Sequence, residues 1–507
     1  MQKDFLSSKL ASQERNRSLY WDKYDPFINI RLFWRASTMR HLFHILPGES
    51  ILEVGAGDGR FSYALAKATK CECKITAAVF SSEYLELARD KTKDLSCIDV
   101  RFIASFPHAL GKKRFDYVVA YNMLDDKIFD LFLCKVKDMI SPGGGILLFQ
   151  PNSWNPYYRL RRIIRRLLPI KWHRPSEDFL LNRFHIFTLL SEVGYTHINV
   201  LAYDFLYSPI PMFLLWPAKN ISLILENCPF IRNFAGSIYV YARKEPISIE
   251  NRGAIDLCKH NIFIRKVSFV IPCKNEEMNI YPIVDSIKCF YDSYIKEIII
   301  IDDNSEDNTV RIAEQIAEKD DRIRVIRRMP PNGVGLALSE GIASAKGDYI
   351  LLMDADFKDI IPELRDLFDV VAEGADVAIG SRFSRESVLL NYPFTKIIAN
   401  RAFHILANIM LGRHFRDISN NLKLLKREVA KQINIEFPDF AANAETGLKP
   451  LLLGYNVCEV PISWINRSVN MGVSSFKLGK IWFNYFRLLF RLTFRQWRSK
   501  IGNKYRR

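Results

Sequence analysis

The sequence lacks the features that mark secreted, zinc-binding and membrane-spanning chains. Its nine cysteines include no CxxC pair, so we expect a reducing compartment and no structural zinc. The first residues, MQKDFLSSKLASQERNRS, have no continuous apolar core, so we expect no signal peptide. Nowhere do about 18 uncharged apolar residues follow one another, so no conventional spanning helix is predicted.

Negative charge is also scarce. The 507 residues include 72 Lys and Arg against 56 Asp and Glu, a net charge of +16. This excess predicts an anionic partner, which can be nucleic acid, an anionic membrane face or a phosphorylated substrate. With 49% hydrophobic residues, the chain is long enough for two or more domains that each bury a full core.

Two cycles of apolar strands and helices occupy the two halves of the chain, and a weakly patterned stretch separates them. We therefore predict an α/β fold with two Rossmann-like domains, each built on a parallel sheet whose carboxyl edge carries the site. The predicted divisions are a first domain at 1–245, a linker at 246–265, a second domain at 266–476 and a basic amphipathic helix at 477–507.

A glycine-rich turn follows the first predicted strand of the first half. The strand at 51–54 runs into Gly55-Ala56-Gly57-Asp58-Gly59-Arg60. A dinucleotide fingerprint needs its third glycine where Arg60 stands, so the spacing disfavours NAD and FAD.

The turn and the blocks KITAAVFSSEYLELAR, RFDYVVAYNMLDD and MISPGGGILLFQPN resemble, in this order, the class I S-adenosylmethionine-dependent methyltransferases. The resemblance implies a methyltransferase-like sandwich. It also implies that S-adenosylmethionine is the cofactor, held by a set of residues at the strand ends: Glu53, Gly55, Gly57, Asp58, Gly59, Ser105 and Asn122.

Two positions depart from that pattern. Val79 stands where an acid normally binds the cofactor ribose, and Ser105 stands where an acid usually meets the adenine edge. Cofactor binding is therefore expected to be weak or lost. An active methyltransferase and an inactive scaffold both stay open.

The stretch LLMDADF places two carboxylates after an apolar run that reads as a buried strand. If the strand period of two continues, Asp354 and Asp356 point the same way and both can bind one hard divalent ion. Mg²⁺ or Mn²⁺ there would neutralise a diphosphate and help a sugar nucleotide's leaving group depart.

The blocks VIPCKNEE, IIDDNSEDNT, MDADF and AIGSRF resemble the family 2 glycosyltransferases of the GT-A fold, within residues 267 to about 480. The likeness is closest to dolichol-phosphate mannose synthases and bacterial polyprenyl-phosphate glycosyltransferases. It implies a metal on Asp354 and Asp356. It implies a nucleotide sugar held by Pro272, Glu276, Asp302, Asp303 and Asp354. It implies an acceptor phosphate held by Arg382, Lys396, Arg401 and Arg467.

The acceptor decides which groups catalysis needs. A lipid monophosphate with a pKa near ~6 is already largely an oxyanion at neutral pH, so no strong general base is required. Asp417 and Glu445 are candidate bases or orienting groups, or they cap and orient helices. Arg382 binds the phosphate or is an ion-pair partner of Asp354. The candidate catalytic set is Asp354, Asp356, Arg382, Asp417 and Glu445.

Two stretches have the pattern of basic amphipathic helices, at residues 159–168 and 481–497. Each either covers its own domain's core or docks on an anionic membrane surface. We expect peripheral attachment on the cytoplasmic side of a membrane, because basic residues are attracted to that leaflet.

The prediction for the whole chain is a glycosyltransferase that moves a sugar to a polyprenyl phosphate, fused to a methyltransferase-like domain. One alternative acceptor is a saccharide hydroxyl of a glycan, with the first domain an inactive scaffold. Another alternative is a basic nucleic-acid-binding protein. No nucleic-acid partner is expected, because the aromatic residues alternate with Leu and Ile on helical faces and form no stacking platform.

Overall fold

The computed structural model describes residues 2–23, 25–125, 127–157, 159–160, 183–206, 210–245, 256–357, 363–384, 386–390, 392–465 and 478–504. It divides into two compact units, Met1–Gly253 and Ala254–Arg507, and the division falls inside the stretch predicted as a linker. Each unit contains a seven-stranded sheet with helices, which confirms the α/β fold class.

The first unit begins with two helices and then alternates strands and helices. Its elements are α1 (Gln2–Lys23), α2 (Asp25–Phe43), β1 (Ser50–Val54), α3 (Arg60–Ala68), β2 (Lys74–Val79), α4 (Ser82–Thr92), β3 (Ile98–Phe102), β4 (Phe115–Tyr121), α5 (Phe129–Met139), β5 (Ile140–Pro151), α6 (Arg183–Val193), β6 (Thr196–Tyr203), α7 (Leu215–Glu226) and β7 (Ser237–Arg243). Short 3-10 helices lie at His108–Leu110, Met212–Leu214 and Ile231–Phe234.

The strand order of this unit is β3-β2-β1-β4-β5-β7-β6. The first five strands are parallel, and β7 runs antiparallel to both β5 and β6, so the prediction of a wholly parallel sheet was wrong. Val54 pairs with Ala78 of β2 and with Ala120 of β4. The turn after β1 therefore lies beside the residues that follow β2 and β4.

Helix α1 is part of the core of this unit. Its Leu6 and Leu10 are buried in the cluster that also contains Phe106, Phe129 and Phe132. The apolar side of α1 is thus held by hydrophobic packing, which fixes where its polar side chains lie.

The second unit has the same alternation. Its elements are β8 (Val267–Cys273), α8 (Ile280–Tyr291), β9 (Ile295–Asp302), α9 (Thr309–Ala317), β10 (Ile323–Arg327), α10 (Val334–Ser344), β11 (Tyr349–Leu352), α11 (Leu364–Ala372), β12 (Val377–Ser381), β13 (Val388–Leu390), α12 (Phe394–Leu411), β14 (Lys423–Lys426), α13 (Arg427–Gln432), α14 (Ala441–Leu453), β15 (Val457–Pro461), β16 (Ser463–Ile465) and α15 (Leu478–Lys504). Short 3-10 helices lie at Asn261–Phe263 and Asp292–Tyr294.

The main sheet of this unit has the order β10-β9-β8-β11-β14-β12-β15, and β13 pairs with β16 in a separate two-stranded sheet. Strand β14 runs antiparallel to its neighbours β11 and β12, so this sheet is mixed as well. Because β8, β9 and β11 are parallel, the residues after Cys273, Asp302 and Leu352 meet at one edge.

Helix α15 has two different faces. Leu488, Leu489 and Leu492 are buried in the core of the second unit, whereas Phe490 and Trp497 are 64% and 58% exposed. The other predicted amphipathic helix, at 159–168, lies almost wholly outside the described residues. Among the helices that the structure describes, none is both long and apolar enough to cross a bilayer.

Candidate functional site

A cavity of about 430 Å³ opens at the carboxyl edge of the second sheet. Seven of the residues that the sequence proposes for sugar transfer line it: Pro272, Glu276, Asp303, Asp354, Asp356, Arg382 and Lys396. They come from the ends of β8, β9, β11 and β12 and from α12, so the parallel strand ends and one helix bring them together.

The loops after β8 and β9 are tied to each other. The backbone N–H of Asn275 donates to the Ser305 hydroxyl over 2.9 Å, and the Glu306 N–H donates to the Asn275 side chain over 2.9 Å. Asp303 accepts from the Gly333 N–H over 2.7 Å and forms an ion pair with Arg328. These bonds fix Asp303 at the start of α10, on the cavity wall.

Asp354 and Asp356 follow β11, and Asp354 is in a desolvated position. Burial, followed by repulsion from Asp356, raises the pKa of Asp354 above its ordinary value. Asn421 donates its side-chain N–H to Asp354 over 2.6 Å, and this charge-stabilising bond opposes the rise. A divalent cation would have the same effect in greater measure.

The donor set suits a hard divalent ion. In the described parts of the chain no three His, Cys, Asp or Glu side chains are grouped closely enough to bind a metal by themselves. Near Asp354, however, the amide oxygen of Asn421 is buried and has no hydrogen-bond partner among the described residues. Two carboxylates and an amide oxygen, with diphosphate oxygens from a ligand, are the oxygen donors that Mg²⁺ and Mn²⁺ prefer.

Arg382 is held by a bidentate ion pair with Asp417. Its Nε donates to Asp417 Oδ2 over 2.7 Å, its Nη2 donates to Oδ1 over 2.9 Å, and its backbone N–H donates to Oδ2 over 3.0 Å. Burial alone would raise the pKa of Asp417, but the Arg382 guanidinium outweighs burial and holds that pKa below its ordinary value. Asp417 is thus a stable carboxylate that orients Arg382 toward the cavity.

Four other proposed residues do not line the cavity. Asp302 is buried and accepts from the Ser305 N–H over 3.2 Å, and Arg401 donates to the Arg416 carbonyl and lies over the Phe383 ring. Asp417 lies behind Arg382. Glu445 accepts from the Glu436 N–H over 3.0 Å, so its contacts are with a loop. One further proposed residue, Arg467, lies outside the described residues.

Sequence reasoning missed several residues at the cavity. Asn421 and an aromatic group line it, the latter made of Tyr392, Phe403, Phe440, Trp464 and Tyr485. Lys423 does not line the cavity but is buried close to Asp417 and Asp354, and burial lowers its pKa to about 7. The only signal for Asn421 and Lys423 was their position in RDISNNLKLLKRE, which follows Asp417.

In the first unit, the glycine turn is covered by α1. Glu14 accepts hydrogen bonds from the backbone N–H groups of Gly57 and Ser81, over 2.9 and 2.7 Å. Arg17 donates to the carbonyls of Tyr121, over 3.0 Å, and of Gly55, over 2.5 Å. Side chains of α1 therefore bridge the ends of β1, β2 and β4.

The residues that the methyltransferase resemblance implies surround this turn. Asp58 is buried and forms ion pairs with Arg60 and Lys91, over 2.7 and 2.8 Å. Ser105 is half-buried and accepts from Ala109 through its carbonyl, whereas Asn122 follows β4 with a positive φ of 49°. Gly57 has a φ of 58° and Gly55 one of 79°, which favour glycine.

Glu53, at the end of β1, is buried beneath the turn and accepts from the Ser62 hydroxyl. Burial raises its pKa to about 7. The neutral form is therefore favoured in the folded unit over a pH range in which the unfolded chain is ionised.

We expect Asp417→Ala to lower the free energy of unfolding by about 3–5 kcal/mol, because it leaves the Arg382 cation buried without its partner. Chemical denaturation followed by circular dichroism measures the loss. Asp376→Ala is the control, since Asp376 pairs with Lys426 over 2.7 Å at a half-exposed position, where a loss of only about 1 kcal/mol is expected. Equal losses in the two variants would contradict the central role of the buried pair.

We expect Glu53→Gln to stabilise the first unit at pH 8 and to have little effect near pH 4.5. The folded pKa of about 7 exceeds the unfolded value, so stability that is present below pH ~4.5 is lost as pH rises through 7. A gain on the order of 2 kcal/mol is expected at pH 8 and can be measured by calorimetry. Glu86→Gln, at an exposed position on α4, is the control. A gain in the free energy of unfolding that does not change with pH would contradict a raised pKa for Glu53.

Two family models match the chain. The model described as "Glycosyl transferase family 2" matches residues 268–433, and the one described as "Methyltransferase domain" matches residues 51–144. Both matches agree with the resemblances found in the sequence and confirm them.

The curated proteins to which the chain is similar include two that are named for mannose and a dolichol or polyprenol lipid. The dolichol-phosphate mannosyltransferase of Pyrococcus furiosus is 30% identical over 241 residues, which cover 46% of this chain and 65% of that protein. The polyprenol monophosphomannose synthase of Mycolicibacterium smegmatis is 30% identical over 212 residues, which cover 40% of this chain and 78% of that protein. The chain thus spans slightly less than two thirds of the length of the first relative.

Solved structures of glucosyl-3-phosphoglycerate synthase from Mycobacterium tuberculosis also align. The complex with UDP is 20% identical, covers 45% of this chain and 80% of that one, and gives a TM-score of 0.37. The complex with Mn²⁺, UDP-glucose and phosphoglyceric acid is 21% identical, with a TM-score of 0.36. Likeness of this size supports no functional comparison. On the family match and the 30% identity to a relative of which it covers 78%, the chain belongs to glycosyltransferase family 2 and carries an N-terminal methyltransferase domain.

Proposed function

We propose that the chain transfers a sugar from a nucleotide sugar to a polyprenyl phosphate. The observation that carries the proposal is the composition of one cavity. It has the carboxylates Asp354 and Asp356, the cations Arg382 and Lys396, and a group of aromatic side chains on its wall. Such a cavity suits a donor diphosphate with its metal and an acceptor that combines a phosphate with an apolar chain.

The donor half is formed by the loops after β8, β9 and β11. Pro272, Glu276 and Asp303 line it and are proposed to hold the nucleoside, with Asp302 supporting the loop from below. Asp354 and Asp356, with the amide oxygen of Asn421, are proposed to hold Mg²⁺ or Mn²⁺. When bound, the metal would neutralise the diphosphate that leaves the sugar.

The acceptor half is formed by Arg382 and Lys396. Asp417 fixes the Arg382 guanidinium. The guanidinium also donates a hydrogen bond to the Tyr392 hydroxyl over 3.1 Å, and it lies 5.9 Å from the Trp464 ring centroid. A fixed guanidinium binds phosphate oxygens in pairs. Because a phosphate monoester is already largely an oxyanion near neutral pH, the attacking oxygen needs no base.

Asp417 and Glu445 are accordingly proposed as positioning residues. Asp417 orients Arg382, and Glu445 forms an ion pair with Lys449 over 2.6 Å while it accepts from the Phe437 N–H over 3.1 Å. Arg401 supports the backbone next to Asp417. Arg467, outside the described residues, stays a predicted phosphate ligand.

A lipid acceptor lies in a membrane, and an apolar surface on α12 and α15 could contact that membrane. We define the docking face as the exposed apolar residues of these two packed helices: Ile398, Ile405, Ile409, Phe483, Phe490, Phe494 and Trp497. Arg487 is exposed on the same helix as the four aromatic residues, whereas Arg491 and Arg495 form ion pairs with Glu436. We propose that the docking face rests peripherally on the anionic cytoplasmic leaflet of a membrane.

The docking face and the cavity share the same two helices. Phe403 and Lys396 of α12 and Tyr485 of α15 line the cavity, and the aromatic residues of the docking face lie elsewhere on α15. A lipid phosphate held at Arg382 would therefore have helices with exposed apolar residues beside it. This arrangement favours a lipid acceptor over a soluble saccharide.

The methyltransferase domain is proposed to bind S-adenosylmethionine weakly at most.

We expect the purified protein, given a panel of labelled nucleotide sugars and a short-chain polyprenyl phosphate, to place label in the organic phase. Asp356→Asn and excess EDTA should each lower the rate at least about a hundredfold, because the diphosphate charge is then not neutralised. Asp321→Asn, an exposed acid elsewhere in the unit, is the control and should retain activity. Label found only on an added saccharide, or full activity in EDTA, would contradict the proposal.

We expect Phe490→Ser combined with Trp497→Ser to weaken flotation with anionic vesicles at least about tenfold. Each large apolar side chain that leaves water contributes about 1.5–3 kcal/mol. Binding should also weaken as salt rises, because of its electrostatic part. Tyr281→Ser, at a 59% exposed position on α8, is the control and should float like the wild type. Unchanged flotation of the double variant would remove the membrane role from α15.

A further inference from the structure

We infer that α1 is an internal ligand of the methyltransferase domain: Glu14 and Arg17 occupy the crevice at the glycine turn, and S-adenosylmethionine binds only when they are displaced. The inference concerns the first unit and is independent of the proposed sugar transfer. It also differs from a simple loss of the cofactor site, because it predicts that a competent crevice lies beneath the helix.

The carboxylate of Glu14 takes the amide donors of the crevice. Its Oε1 accepts from the Gly57 N–H over 2.9 Å, and its Oε2 accepts from the N–H groups of Phe80 and Ser81 over 2.9 and 2.7 Å. Three backbone amides converging on one carboxylate form an anion site. In this structure that site is filled by the chain's own glutamate.

The guanidinium of Arg17 donates to the hydrogen-bond acceptors of the same crevice. It is 2% exposed, donates to the carbonyls of Gly55 and Tyr121, and lies close enough to Glu53 and Asp58 to be attracted by them. A cation on these carbonyls beside an anion on the amides reproduces the charge pattern of a zwitterionic amino acid. The amino acid end of S-adenosylmethionine is such a zwitterion, and the methyltransferase resemblance implies that Glu53 lies near it.

Space as well as charge excludes the cofactor. A side-chain carbon added at Gly57 would lie 2.6 Å from the Ser18 hydroxyl and 2.8 Å from Arg17 Nη2, so α1 contacts the turn directly. Val79 supplies no acid where the ribose is expected, and the carboxylate next to the end of β2 belongs to Glu14. With α1 in place, the residues of this crevice do not fit bound S-adenosylmethionine.

Where α1 meets the crevice, some buried polar groups lack hydrogen-bond partners in the described part of the chain. Arg17 Nε, the Ser18 hydroxyl and Glu53 Oε1 are buried without hydrogen-bond partners among the described residues. Burial also raises the pKa of Glu14 and lowers that of Arg17, so both charges are held in an unfavourable environment. A purely structural helix would be expected to satisfy its buried polar groups. These groups therefore indicate side-chain contacts that a better-matched ligand can replace while Leu6 and Leu10 keep α1 packed on the core.

Calorimetric titration of the full chain with S-adenosylmethionine tests the inference. We expect Glu14→Ala combined with Arg17→Ala to bind at least tenfold more tightly than the wild type. Arg15→Ala is the matched control. Arg15 lies between the two on α1 and pairs with Glu83 over 2.7 Å at an exposed position, so its removal should change affinity less than about threefold. Circular dichroism and the thermal midpoint establish that each variant is folded.

A folded double variant that binds no more tightly than the wild type would overturn the inference. If the double variant does not fold, Glu14→Gln decides, because it keeps the side-chain size and removes the charge. It should also bind more tightly, and equal affinity in a folded Glu14→Gln protein overturns the inference. Hydrogen exchange gives a second readout. Cofactor binding should accelerate exchange within residues 13–22, and bound cofactor without that change would show that α1 does not compete.

Discussion

The buried ion pair between Arg382 and Asp417 is the interaction on which the proposed acceptor half of the cavity depends. The backbone at Asp417 is held by Glu459, whose carboxylate accepts hydrogen bonds from the N–H groups of Asp417 and Arg416. His404 is neutral, because burial lowers its pKa to about 3, and its ring accepts from the Ile418 N–H over 3.0 Å. The segment around Asp417 is thereby connected to the end of β12 through Arg382, to α12 through His404 and to β15 through Glu459.

Several other charges are buried at the same edge of the sheet, and the free energy that their burial costs bears on ligand binding. Asp354 and Arg382 lie on the cavity wall and Lys423 is buried nearby, and burial disfavours the charged form of each. A cavity built from alternating buried charges is preorganised for a ligand that carries charge of both signs, such as a diphosphate with its metal. The proposed diphosphate and metal would therefore stabilise charges that are costly to bury.

Much of the site was predictable because motif acids and glycines follow apolar strands, and parallel strands align their carboxyl ends. This reasoning predicts that Asp303, Asp354, Asp356 and Arg382 meet at one strand edge, and all four line the same cavity. It did not predict the antiparallel strands β7 and β14, because buried strands of either direction have the same apolar pattern. Nor did it find Glu14, which lies 43 residues before Gly57 in the sequence and reaches the turn only through tertiary packing.

Helix α15 has a consequence of another kind. It contributes Tyr485 to the cavity, where the Tyr485 hydroxyl donates to the Phe440 carbonyl over 2.9 Å, and its opposite side carries exposed aromatic residues. If the proposed membrane surface and the cavity's ligand favour different or equal positions of this helix, thermodynamic reciprocity makes the effect of each on the other's affinity the same factor. Through this one helix, the proposed adsorption and the proposed substrate binding would be coupled equilibria.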